Sequence, residues 1–518
     1  MTLLTEEADF LVRFLRYHPD SAVHFVRSSM PAAAHDRPHP MRSLLILSIA
    51  ALSYALAQTT LIPALGTLSE DLHTSTSSVA WVLTAYLVAA AVFTPVMGRL
   101  GDMFGKRRML VIALAVFGVG SVVSALGTSL EVIVAGRVLQ GIGGGIFPLC
   151  FGIIRDEFPR ERVSGSIGLI SATAGIGGGA GLVIGGLIID NASYHLIFWL
   201  GAAMAGLAAI STMLFIHESP VRTPGRVDIR GALVLGLGLI MPLLGVSQAN
   251  SWGWTDPRVL GLVAAGAVVL ALWVQLQRRT EQPLADIDAL SKAPVLVTNL
   301  TTVLVGFGMF NSFILIPEIA QAPTSSGYGF GVDATGAGLI MLPGALMMLV
   351  AGPLSGNLGA RVGNKIPLAI GSLLSSLGLV LLAVDHGSQL SLVLYNVILS
   401  LGIGFAFAAM PNLIVEAVPQ HQTGEATGFN ALVRSVGSSL GTQVAAAIVA
   451  GTVVTSTGLP TDDGLTTAFL VGAGVTAVAT VAALLIPRAK QHHEHLPVGE
   501  EIGAASPLGE PAYGGTQA

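Results

Sequence analysis

The chain has 518 residues, 52% of them hydrophobic and only 11% charged, against roughly 25% charged in soluble domains. Its mean hydropathy of +0.74 excludes a soluble globular protein, and so little charge excludes an intrinsically disordered one. The net charge of −5 is small and says little about nucleic acid, and the single cysteine, Cys150, excludes a disulfide framework and a Cys-based metal site.

The first 42 residues are polar, contain Glu6, Glu7 and Asp9, and lack the apolar core of a signal peptide. Within them, residues 5–27 could form an interfacial helix with Phe10, Leu11, Phe14 and Leu15 on its apolar face. Apolar stretches long enough to cross a bilayer follow at 43–65, 79–98, 109–127, 130–153, 165–189, 196–216, 230–249, 258–275, 294–318, 334–354, 365–384, 390–413, 427–454 and 466–487. With the N-terminus in the cytoplasm, 22 of the 25 lysines and arginines fall in cytoplasmic segments. One, Arg258, lies outside, and two, Arg137 and Arg434, lie within spans. This is the positive-inside bias, and a wrong span would invert every later loop. The expected fold is an all-α integral membrane protein of fourteen transmembrane helices, multi-pass in a bacterial inner membrane, with both termini cytoplasmic and no strands.

The segment after span 2, Gly98 to Arg108, is echoed more weakly after span 10 by Gly356 to Lys365, at an offset of 258 residues. Spans 1–2 therefore match spans 9–10. The chain divides into a cytoplasmic segment (1–42), a six-helix half (43–216), two inserted helices with a linker (217–293), a second six-helix half (294–487) and a disordered cytoplasmic tail (488–518). Parallel repeats of this kind belong to transporters that rock two halves about a central site.

Three blocks are more specific. The first holds Gly98, Leu100, Asp102, Gly105, Lys106 and Arg107; the second, in span 4, holds Arg137, Gln140, Gly141 and Gly143. The third, in span 5, holds Gly177, Gly181, Gly185 and Gly186, with Leu182 where the pattern has Pro. Together with fourteen spans and the stretch Glu281-Gln282-Pro283-Leu284, they resemble the major facilitator superfamily, in particular its fourteen-span drug:proton antiporters. The resemblance covers residues 43–487. It departs in span 1, where Leu56-Ala57-Gln58-Thr59 stands in place of the family's acidic residue.

The resemblance implies a cytoplasmic gate at Gly98, Asp102, Gly105, Lys106 and Arg107. Read from the residues alone, Gly105 permits a turn and Asp102 lies near the start of span 3, where a helix dipole favours a carboxylate. The resemblance also implies a cavity lined by spans 1, 4, 9 and 12. Their polar residues Tyr54, Gln58, Arg137, Gln140, Asn299, Asn311, Tyr395 and Asn396 are the candidate substrate site. A buried arginine costs about 2.5–3.5 kcal/mol or more unless it meets a partner or water, so Arg137 either faces the cavity or snorkels outward. Arg434 has the same choice towards the cytoplasm. Gly177, Gly181 and Gly185 recur on one helix face and allow close backbone approach, either as static packing or as a sealing surface between the halves. For a proton carrier, Asp190 and Asp385 fall in outer loops, Glu131 at an outer helix start and Glu416 on the cytoplasmic side. Glu318, embedded in an apolar run beside Pro317, is the candidate. His492, His493 and His495 belong to a solvated tail. No catalytic set appears, so an enzyme is not expected, nor a cofactor or metal.

The expected function is secondary active export of small amphiphilic drugs or metabolites by alternating access, in exchange for protons. The partners are then a small-molecule substrate, protons and the lipid bilayer, without nucleic acid, and the protein is a monomer. A nutrient importer or uniporter of the same fold and a non-transporting membrane sensor are the other readings. Two intramembrane arginines and no deep acid favour neutral or anionic substrates over lipophilic cations.

Overall fold

The computed structural model describes residues 40–74, 76–219, 228–454 and 459–487. The interfacial helix expected at 5–27 and the tail histidines lie outside the described residues.

Fourteen helices in the described residues are long and apolar enough to cross a membrane. In chain order the spans are Pro40–Ala64, Trp81–Phe104, Lys106–Leu126, Leu130–Glu157, Arg160–Asn191, His195–Phe215, Ile229–Val246, Pro257–Arg279, Ala293–Gln321, Thr335–Val362, Lys365–Val384, Gln389–Ala417, Gln420–Gly451 and Asp462–Leu485. They match the sequence-derived spans one for one. Several run further than their apolar stretch, because the helix continues into polar ends. The exception to an all-helical fold among the described residues is a two-residue antiparallel pair, Val453–Val454 with Leu459–Pro460. Leu233, Leu272, Leu346 and Val481 are exposed, as suits helices solvated by lipid.

The repeat is visible in which helices touch. Span 1 packs on span 5, span 2 on span 4, span 3 on spans 4 and 6, and span 1 on span 6. The same pattern recurs as span 9 on 13, 10 on 12, 11 on 12 and 14, and 9 on 14. The halves meet most extensively through two further pairs, span 5 with span 10 and span 2 with span 13, which the repeat exchanges. Inserted span 7 packs against spans 2 and 13, and span 8 packs on span 7.

Glycines set several of these approaches. A Cβ on Gly177, Gly181 or Gly185 would sit within 2.3 Å of Ala55, Thr59 or Thr60 of span 1. In the second half, Gly437 and Gly441 meet the carbonyls of Val303 and Phe307 of span 9 in the same way. The three span 5 glycines therefore pack inside one half, which corrects the sealing surface considered for them. The contact between halves uses a different face of span 5: Gly168 against Gly352, Gly175 against Met348, Gly179 against Ala345 and Gly186 against Thr335.

Candidate transport site and gate

The first motif builds a lock between the halves at one end of spans 2 and 13. Helix Thr76–Phe104 ends at Gly105, whose φ of +106° lets Lys106 begin span 3 at once. Gly98 lies on Gly424, where a Cβ would come within 2.2 Å of its carbonyl oxygen. This contact carries Asp102 to the start of span 13, where its carboxylate accepts the main-chain N–H groups of Gly424 (3.3 Å) and Glu425 (3.0 Å). Asp102 thus caps the N-terminus of span 13, in the other half, and not that of span 3 as expected; a carboxylate is favoured there by the helix dipole and by charge-assisted hydrogen bonds.

The surrounding charges are paired. Lys106 lies 3.3 Å from Asp102 and 2.7 Å from Asp156, and all three side chains are buried. Arg99 reaches Glu425 at 3.4 Å. Arg155 donates to Thr423 Oγ1 (2.5 Å) and to the carbonyl of Val418 (2.9 Å), while Gln420 donates to Asp156 (3.0 Å). Glu425 also accepts the Asp286 N–H, which ties the linker of the inserted helices to the lock. Of the five gate candidates, Gly98 and Asp102 touch the other half; Lys106 pairs within the first half, and Arg107 donates from its guanidinium to the Met213 carbonyl of its own half and from its N–H to Glu218 at the start of the linker. Sequence reasoning missed Arg99, Arg155, Asp156 and Glu425, which bear no motif spacing and meet only in three dimensions.

The echo repeats this geometry without an ion pair among the described residues. Gly363 has φ +89° as Gly105 has +106°, and a Cβ on Gly356 would lie 2.5 Å from the Ser164 carbonyl. Ser164 donates to the Gly356 carbonyl at 3.0 Å. Asn364 and Glu416, joined at 2.6 Å, stand where Lys106 and Asp156 stand in the first half, and Ala360 replaces Asp102.

Between the halves, beyond the lock, is a cavity of about 160 Å³. Span 1 contributes Tyr54 and Gln58, span 2 Thr84 and Leu87, span 4 Phe147, span 7 Leu243 and Val246, span 9 Phe310 and span 12 Phe407. Span 13 contributes Arg434, Ser435, Ser438, Ser439, Thr442 and Gln443. Arg434 follows Glu425 by nine residues, about 13 Å along the helix axis.

Of the eight candidate substrate residues, Tyr54 and Gln58 line this cavity and the other six do not. Arg137 is buried within the first half, donating to the carbonyls of Val82 (3.0 Å) and Ala57 (3.1 Å) and to Gln140 (2.7 Å). Its guanidinium lies 4.1 Å from the Tyr86 ring centroid, and Gln140 passes the network on to Ser121 at 2.7 Å. It is therefore neither a cavity wall nor a snorkelling side chain but a brace joining spans 1, 2 and 4. Asn299 accepts from Asn430 at 2.9 Å, Asn311 donates to Ala468 at 2.8 Å and Asn396 to Met341 at 3.4 Å; these are interhelical bonds within the second half. Tyr395 points to Asp385 at 3.4 Å, in a loop where the Ser391 hydroxyl and the Gly387 N–H hold the Asp385 carboxyl below the usual range. Glu318 is exposed and away from the cavity. Arg434 is the arginine the cavity receives, on span 13, a helix outside the set expected to line it.

Comparison with known proteins agrees with this architecture. The chain is 29% identical over 422 residues to the Tetracenomycin C resistance and export protein of Streptomyces glaucescens, covering 80% of this chain and 77% of that one. It is 28% identical over 435 residues to the Uridine/deoxyuridine transporter of Lactococcus lactis, covering 80% and 88%. The human organic anion transporter MFSD10 (TETRAN) shares the fold, with a TM-score of 0.63 at 16% identity, over 86% of this chain and 100% of that structure. The family profile described as Major Facilitator Superfamily matches residues 47–442 and 298–512. With fourteen membrane-spanning helices in two repeated halves, this multi-pass membrane protein is a transporter of the Major Facilitator Superfamily and not an enzyme.

Proposed function

We infer that the chain exports small amphiphilic compounds across the inner membrane by alternating access, in exchange for protons, with both termini and the lock on the cytoplasmic side. The observation that carries this reading is a mixed aromatic and polar cavity between the halves, sealed at one end by a buried charged cluster that joins those halves through the Arg99–Glu425 ion pair and the Asp102 hydrogen bonds. Opening the lock while the far ends of the halves close would present the same cavity to the other side. Outward transport is supported by the similarity to an export protein, and the cytoplasmic placement of the lock by the lysine and arginine bias. Proton exchange rests on the antiporter motifs.

The test is flux in inside-out membrane vesicles energised to acidify their lumen. Uptake of an aromatic fluorescent dye that depends on the protein and collapses with a protonophore supports export by exchange. The similarity to a nucleoside transporter favours a second reading, import, for which right-side-out vesicles and not inside-out ones would accumulate substrate.

A further inference from the structure

The cavity carries one formal charge among its described lining residues, and that charge is positive. Arg434 is half-buried there, and no Asp or Glu lines the cavity with it. Among the described residues its guanidinium makes no hydrogen bond or ion pair; its contact is the face of Phe407, 4.7 Å from the ring centroid. Arg137 is the contrast: the same residue type, buried in the other half, with three hydrogen bonds to its own helices. A guanidinium withdrawn from water is costly unless an acceptor meets it, and here the described residues supply none.

The backbone that carries it is held in place. Gly306 lies against the Arg434 carbonyl and Gly437 against that of Val303, so span 13 cannot turn the side chain away without losing its packing on span 9. Tyr54, Phe147, Phe310 and Phe407 offer aromatic surface around the charge. A planar guanidinium presents a fork that matches a carboxylate with two parallel bonds.

We propose that Arg434 is the recognition point for an acidic group, a carboxylate or phenolate, on an aromatic substrate, so that the transporter selects amphiphilic organic anions over neutral isosteres and rejects lipophilic cations. This rests on the cavity being the transport site.

The probes are 2-naphthoate, its neutral amide and the naphthyltrimethylammonium cation, titrated against the full chain in lipid nanodiscs. Naphthoate should bind at least tenfold more tightly than the amide, and the cation more weakly than either. Arg434→Gln should lower naphthoate affinity tenfold or more and leave the amide within threefold. Arg434→Lys should fall between them, keeping the charge without the fork. Equal affinity for acid and amide, preference for the cation, loss of acid and amide together in Arg434→Gln, or no binding of any probe would overturn the proposal. Gradient-driven flux of the same probes separates the two readings. Flux without charge preference sinks the Arg434 assignment alone, whereas charge-selective binding without flux sinks the transport reading alone.

Discussion

Asp102→Asn removes one charge from the lock without changing its volume. The carboxylate accepts two N–H groups at the start of span 13, at 3.3 and 3.0 Å, and lies 3.3 Å from the Lys106 ammonium. An asparagine oxygen can accept from one of those groups, but its own NH2 must then face the other N–H or the ammonium. The loss is one charge-assisted hydrogen bond, about 1.5–3 kcal/mol, and a helix-terminus interaction of about 0.3–2 kcal/mol. A total near 3 kcal/mol moves the closed-to-open ratio by about two powers of ten, at about 1.4 kcal/mol per tenfold. Both cores keep their packing, so expression and thermal stability should stay near wild type. The assay is a pulsed spin-label distance between Glu161 and Arg361, exposed residues on the lock face of opposite halves, in a Cys150→Ala background. A long-distance population should become dominant, and gradient-driven flux should fall at least tenfold. An unchanged distance distribution with wild-type flux would refute the gate and leave Asp102 as a static cap.

Four further outcomes are expected. Arg137→Ala should unfold at markedly lower temperature, because it strands the buried Gln140 oxygen, worth about 1–3 kcal/mol without a partner, and removes the bonds that tie spans 1 and 2 to span 4; Arg137→Lys should recover only part, and a full recovery of melting temperature would contradict the brace. Gly437→Ala should reduce the yield of folded protein, since its Cβ would lie 2.1 Å from the Val303 carbonyl, while Gly206→Ala, with nothing within 4 Å, should not; equal yields would sink the close-packing argument. Glu318→Gln should keep the wild-type pH profile of flux in proteoliposomes, as an exposed residue away from the cavity; a shifted profile would restore it as the proton carrier. Cysteines at Ser325 or Ser388 should react with an impermeant thiol reagent added outside intact cells, and one at Glu161 should not; the reverse pattern would invert the proposed orientation.

The fold was legible because its signals are additive along the chain. Each span is a long apolar run, and each loop votes on the parity of the count, so one error would have scattered the arginines. The repeat was legible at Gly98 and Gly356 because each lets two backbones touch, which no other residue permits. The glycines of span 5 show the limit. Their spacing identifies a face open to close approach but not which neighbour approaches it. Gly177, Gly181 and Gly185 turned out to face span 1, and the surface between the halves runs through Gly168, Gly175, Gly179 and Gly186, whose spacing is less regular.

The site was harder to read for a related reason. A polar residue in an apolar span has several ways to be satisfied, and sequence does not distinguish them. Arg137 and Arg434 are both single arginines about two turns from a span end, each read as either snorkelling or cavity-facing. The difference lies in what surrounds them. The carbonyls of Val82 and Ala57 and the side chain of Gln140 converge on Arg137 Nε and Nη1, so its charge is met by three acceptors within its own half, although Nη2 has no partner among the described residues. Arg434 has Phe407 beside it and serines that donate to their own helix, Ser435 to the Ala431 carbonyl and Ser438 to that of Arg434. The charge that remains unanswered is the one placed in the cavity between the moving halves. The absence of an acid from span 1, which first looked like a missing part, leaves that arginine without a carboxylate partner in the cavity.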